Sequence, residues 1–182
     1  HQRLHRLDLG GEPVPLTPEG CRYADMDVAP DGTWLVAVRE DHRGEGEPKN
    51  EIVRIDTTSG EETVLVTGPD FVACPRIGQW HTTGLAWTQW NHPDMPWDTA
   101  EVWVGELDDD GLVEAQRLAG GPGEWASQPT WAGGRLWLTS DRPVDERGVP
   151  LSVSTGPRSG WRRPSPPESV PAVAGSRPRF AE

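Results

Sequence analysis

Two stretches gather the side chains most able to do chemistry. Residues 40–50, EDHRGEGEPKN, carry Asp41, His42, Arg43, Glu45 and Glu47. Residues 91–100, NHPDMPWDTA, carry Asn91, His92, Asp94, Trp97 and Asp98. An imidazole beside a carboxylate can act as a general base, and His42 with Glu45, or His81 with Asp98, could form such a pair. Neither has a nucleophile to serve. A Gly-x-Ser-x-Gly elbow is absent, and Gly156, Ser159 and Gly160 have the wrong spacing for one. Asp108, Asp109 and Asp110 cluster at a hairpin turn but lack further oxygen ligands at calcium-loop spacing. Neither the five histidines nor Cys21 and Cys74 stand at metal spacing. We therefore expect no catalytic residue, no metal site and no cofactor. The two stretches read as a recognition surface, or as solvated loop charges with Trp97 plugging its own loop.

The elements around them are strands. In residues 22–68, Ala24, Met26 and Val28 alternate with Asp25 and Asp27; apolar runs follow at 34–38, 52–55 and 64–66. Period-2 alternation and short β-branched runs between turn signals mean strands. Pro30-Asp31-Gly32 and Thr58-Ser59-Gly60 supply the turns. Four antiparallel strands in this length make one β-propeller blade. Residues 3–17, 51–67 and 101–120 repeat its third and fourth strands. Residues 27–41, 74–90 and 128–142 repeat its first and second. With Val28, Pro75 and Pro129 equivalent, the steps are about 47 and 54 residues, which suits blades with loop insertions.

The expected fold is all-β, a partial propeller of about three blades. It comprises a half blade at 1–20, blades at 22–68 and 71–120, and a partial blade at 124–142. A propeller joins its last blade to its first, so we expect a segment cut from a longer ring, with sheet edges open to self-association. Residues 143–182 differ, with eight Pro and six Ser. Such a composition cannot repay its ordering entropy, so this tail is expected to be disordered or out of frame.

The formal charge of −12 divides into +2 for residues 143–182 (six Arg against four acids) and −14 for residues 1–142. An acidic chain lacks the basic footprint that nucleic acid or an anionic membrane demands. No apolar stretch is long enough to span a bilayer, and residues 1–10 are too polar for a signal peptide. Unpaired cysteine spacing points to a reducing cytoplasm. Most of the ten Trp fall in or beside strands, where they can fill the space between sheets.

In an antiparallel blade, first-to-second and third-to-fourth turns share one end, and second-to-third loops share the other with the blade linkers. The stretches 40–50 and 91–100 belong to that second end, where varied loops on a rigid scaffold carry function.

Residues 22–53, RYADMDVAPDGTWLVAVREDHRGEGEPKNEIV, resemble the propeller of the prolyl oligopeptidase family, in particular the bacterial dipeptidyl aminopeptidase and acylaminoacyl-peptidase-like serine peptidases. Residues 85–111 and 127–142 support the resemblance. Residues 78–84, GQWHTTG, depart from the expected Ser-Pro-Asp-Gly-like turn, and the pattern stops after Arg142. The resemblance implies a propeller that covers a C-terminal α/β-hydrolase domain and restricts which short peptides reach its Ser-Asp-His triad. No triad position exists in this chain, so the implied role is non-catalytic: gating peptides for a hydrolase domain that this chain lacks. The alternative is a TolB-like or WD40-like propeller piece that binds proteins.

Overall fold

Strand pairing follows the repeat, with one shift of register. The computed structural model describes residues 2–78, 84–109 and 111–142. The half blade is β1 (His5–Arg6) and β2 (Val14–Pro15). The first complete blade is β3 (Cys21–Val28), β4 (Trp34–Asp41), β5 (Lys49–Asp56) and β6 (Glu62–Val66). The second is β7 (Phe71–Ile77), β8 (Gly84–Trp90), β9 (Glu101–Leu107) and β10 (Leu112–Gly120), with the helical turn α1 (Pro96–Thr99) before β9. A hairpin of β11 (Ala126–Ala132) and β12 (Arg135–Ser140) follows. Both complete blades are four-stranded, antiparallel and ordered as in sequence. The fold is a partial β-propeller.

Side chains of neighbouring sheets form three apolar layers. Leu4 and Leu16 of the half blade meet Leu35, Ala37, Val53 and Ile55. Val36, Val38, Ile52 and Val66 meet Val72, Leu85 and Trp87 of the second blade. Val102 and Ala119 meet Ala126 and Leu138. Ile52, Val53, Ile55 and Leu85 are fully buried; each such side chain contributes roughly 1.5–3 kcal/mol relative to exposure. The turns work as their residues require. Asp31 accepts from the Thr33 amide at 3.0 Å, and Asp56 accepts from those of Thr58 and Ser59 at 2.9 and 2.7 Å. Gly60 has φ +74°, and a Cβ there would lie 2.1 Å from the Leu16 carbonyl oxygen, so only glycine fits.

The alternation expected of β3 fails at its centre. Met26 and Val28 are 53% and 50% exposed. Asp25 adopts φ +56° in a bulge between Ala24 and Asp27, and one extra residue switches the strand's faces. The bulge recurs at Cys74 (φ +50°) in β7 and Gln128 (φ +57°) in β11. The equivalent positions are therefore Met26, Pro75 and Pro129, and not Val28: the first step is 49 (from 26 to 75), two more than the sequence pattern gave. Asp25 and Asp27 bind the next blade. The Cys74 amide donates to Asp25 at 2.7 Å, and the Ile77 amide donates to Asp27 at 2.8 Å.

Residues 79–83, with Trp80 and His81, lie outside the described residues, as do Asp110 and the tail 143–182. The Gly78 amide donates to the Gly84 carbonyl at 2.7 Å, joining the end of β7 to the start of β8.

Candidate functional site

The loop between β4 and β5 is shorter than expected. Glu40 pairs with Asn50 and Asp41 with Lys49, so the hairpin runs on and the loop is 42–48. Asp41 is therefore a strand end facing its neighbours. Arg43 donates to it from Nε and Nη2 at 2.8 and 2.7 Å, and from its amide at 3.0 Å. These Arg43 bonds hold the Asp41 carboxyl well below the usual range, and Arg43 is raised in turn. The Cys21 thiol donates weakly to Asp41 at 3.7 Å, and burial pushes that thiol up. His42 leans on Glu40, Nε2 to Oε2 at 3.1 Å, and not on Glu45, so the general-base pair drawn from sequence does not form. The reason is parity: residues two apart at the strand end share a side. The His42 amide donates to Gly20 O at 3.0 Å, tying this loop to the linker before β3. Glu45 and Glu47 stand out in solvent.

The second cluster surrounds the start of β7. The Asp70 amide donates to Asn91 Oδ1 and the His92 amide to Asp70 Oδ2, each at 2.8 Å. Phe71 stacks on Trp90 at 5.2 Å and meets the His92 ring edge-on at 4.9 Å. Asp94 accepts from Thr99 Oγ1 at 3.0 Å, and Asp98 accepts from the Met95 amide at 3.2 Å across the start of α1. Trp97 is 66% exposed and Met95 46%. Trp97 is therefore no plug for its loop; α1 is one turn long and buries no residue, so it has no interior to fill.

The ten residues thus form two clusters, one on each complete blade. Among the described residues no hydrogen bond or ion pair joins them, and His81, the proposed partner of Asp98, lies outside those residues. Most of the charge is spent locally: Asp41 on Arg43, Asp94 and Asp98 on their own loop. What remains open to a ligand is carboxylate at Glu45 and Glu47, and apolar surface at Met95 and Trp97. Asp108 accepts from the Gly111 amide at 2.9 Å in its turn. Among the described residues no group of side chains could hold a metal ion. No helix there is long and apolar enough to cross a membrane. A cleft of about 300 Å³ lies at the opposite, turn end, beside Trp34, Arg54, Asp56 and Glu61. Sequence reasoning missed Asp70 and Asn50, which stitch linkers to strands: Asn50 Oδ1 accepts the Val72 amide at 2.9 Å. It also missed a buried network in which Arg39 donates to Glu51 and Glu62, and Tyr23 to Glu62. Charged residues at the ends of the apolar runs, Arg39 after 34–38 and Glu51 before 52–55, were the available signal.

No protein-family model matches the chain, and no curated relative does. Solved structures do. A puromycin-hydrolyzing peptidase of Mycobacterium tuberculosis is 40% identical, with a TM-score of 0.68 over 77% of this chain and 24% of its own. This is a propeller segment of the prolyl oligopeptidase family. Puromycin hydrolase is similar to the segment at 28% identity and a TM-score of 0.66, again over 77% of this chain and 24% of its own. The segment thus spans about a quarter of the length of these structures. A putative TolB from Agrobacterium tumefaciens, 20% identical with a TM-score of 0.54 over 76% of this chain and 49% of its own, shares the fold.

Proposed function

We infer that the segment is the non-catalytic, substrate-selecting part of a serine exo- or oligopeptidase, of the dipeptidyl aminopeptidase or acylaminoacyl-peptidase type. It gates and orients short peptides for a hydrolase domain outside this chain. One observation carries the reading: 40% identity, over 77% of the chain, to a peptidase that hydrolyses puromycin. The chain's own chemistry agrees, because its loop end offers exposed carboxylate at Glu45 and Glu47 and apolar surface at Met95 and Trp97. Glu45 and Glu47 form an acidic rim suited to a peptide's ammonium group, where complementary charge aids encounter. Asp41 contributes little to that rim, since Arg43 neutralises it.

The test is a chimera of the M. tuberculosis peptidase in which residues 2–142 replace the matching quarter. Hydrolysis of short peptides should persist. Glu45→Gln with Glu47→Gln should raise KM several-fold for peptides with a free amino terminus, while amino-blocked peptides are unaffected. An unchanged KM for both removes the rim from the reading; a preference for short peptides that survives the exchange supports gating, and its loss counts against it. A second reading, a TolB-like protein-binding module, draws on the exposed Met95 and Trp97. Trp97→Ala would then abolish capture of a partner protein without changing peptide hydrolysis in the chimera.

A further inference from the structure

The cleft at the turn end lies between the two complete blades. Trp34, Arg54 and Leu65 of the first blade line it together with Asp109 and Gly111 from the β9–β10 turn of the second. Arg54 stands in a row with Val36 and Thr63. Arg39 with Glu51 and Gln89 with Glu101 are matching rows, so three residues along, Val36 with Arg54 matches Ala86 with Val104. Ala86 and Val104 are both buried. An apolar residue therefore serves the blade at this position, and packing does not ask for an arginine.

The guanidinium is held in place and unspent. Its carbon lies 4.6 Å from the centre of the Trp34 ring, so the indole backs one of its faces. Among the described residues no oxygen accepts a hydrogen bond from it. Arg39, Arg43, Arg117 and Arg142, by contrast, each donate to a carboxylate.

The carboxylates of the cleft divide. Asp56 accepts from the amides of Ser59 and Thr58 and from the Ser59 hydroxyl, and these bonds hold its carboxyl below its ordinary value. Glu61 and Asp109 also line the cleft and are exposed. Among the described residues neither of their carboxylates has a hydrogen-bond partner. The open charge is thus one cation and two anions. A simple anion would meet Glu61 and Asp109, and a simple cation would meet Arg54. A molecule that carries both charges meets neither penalty.

We propose that the cleft binds a short zwitterion with an apolar side chain, an amino acid or dipeptide whose ammonium and carboxylate are both free. Arg54 takes the carboxylate through two parallel N–H···O bonds, which a planar guanidinium is shaped to make. Glu61 and Asp109 take the ammonium, and Leu65 packs against the apolar side chain. The volume of about 300 Å³ is at the small end of ligand sites. Every residue of the site belongs to the two complete blades. The inference goes beyond peptide selection at the loop end and does not need it, so its test reads binding and not hydrolysis.

The 182-residue chain is titrated with leucine and with leucyl-leucine by calorimetry, and the Trp34 indole proton is followed by NMR in the same titrations. At least one of the two should bind and shift that proton. N-acetyl-leucyl-leucine and leucyl-leucine amide should each bind at least about tenfold more weakly than leucyl-leucine, the scale of a lost charge-assisted hydrogen bond. Arg54→Gln should abolish binding and Arg54→Lys should weaken it, both with an unchanged circular dichroism spectrum. Glu61→Gln with Asp109→Asn should weaken leucyl-leucine about tenfold and leave the acetylated peptide no weaker than before. No binding of either zwitterion, equal affinity for a blocked form, or full affinity in Arg54→Gln would each overturn the proposal.

Discussion

The two complete blades match row for row yet fill their inner faces in different ways. In the first, the row Tyr23, Arg39 and Glu51 faces the half blade, and Glu62 joins it. Arg39 Nη2 lies 2.5 Å from Glu51 and Nη1 2.6 Å from Glu62, with side chains only 8%, 8% and 11% exposed. Tyr23 donates to Glu62; burial and then that bond push its phenol well above its ordinary value. In the second blade the same positions are Val72, Gln89 and Glu101. Trp87 stacks on Trp103 at 6.2 Å, and their indole N–H groups donate to Gln89 and Glu101, each at 2.8 Å. The difference tracks the neighbour. A whole apolar sheet covers the second blade, so one indole is buried and a second half-buried against it, with one polar atom each to satisfy. A two-stranded hairpin covers the first, and that face carries Ala37 and Val53 where the other has Trp87 and Trp103. One register therefore accepts an ion network or an indole pair, and the surface opposite decides which.

Removing the largest buried side chain should break the second arrangement most severely. Trp87→Ala is expected to cost about 4 kcal/mol, read as a drop in the urea midpoint. Arg39→Met is next. It leaves two buried carboxylates without their cation, at an expected cost of about 3 kcal/mol, whereas Gln89→Met at the same position of the second blade should cost about 1 kcal/mol. Equal losses by chemical denaturation would mean the ion network is no different in kind from its neutral counterpart. The inter-blade contacts sharpen the comparison. Asp27→Ala removes the acceptor for the Ile77 amide and should cost about 1 kcal/mol. Thr130→Ala, at the same position of β11, should be close to neutral in the same melt. The smallest effect is the acid limb. Arg43 holds the Asp41 carboxyl below its ordinary value, so the pair stabilises the fold above the unfolded carboxyl's pKa of about 3.9 and that contribution is lost as pH falls further. Arg43→Gln should lower Tm near neutrality, and the gap from the unaltered chain should narrow below about pH 4.

Much of this was legible in the chain. The runs at 34–38 and 52–55 are strands because β-branched residues stand between turn chemistries that each have a mechanism; Gly32 and Gly60 take the positive φ those turns ask for, and the structure adds Asp31 and Asp56 as acceptors for the turn amides. The bulges were not legible. Nothing in Asp25, Cys74 or Gln128, three unlike residues, signals a positive φ; each is held there by the pairing of its strand with the next. The candidate loops were found, but not their internal bonding: His42 turned to Glu40 and Trp97 turned to solvent because side-chain partners in a loop depend on where the flanking strands end.

By itself the sequence settled the repeat, the number of strands and the lack of a nucleophile elbow, because these depend on local periodicity and on which residues are present. Tertiary structure alone decided the register of each first strand, the pairing of Asp25 and Asp27 with the next blade, and the choice between ion network and indole pair. The Asp25 and Asp27 bonds join residues 49 and 50 positions apart, and the network and the indole pair each answer to a sheet that the repeat brings against them; local pattern holds no record of what will lie across the interface.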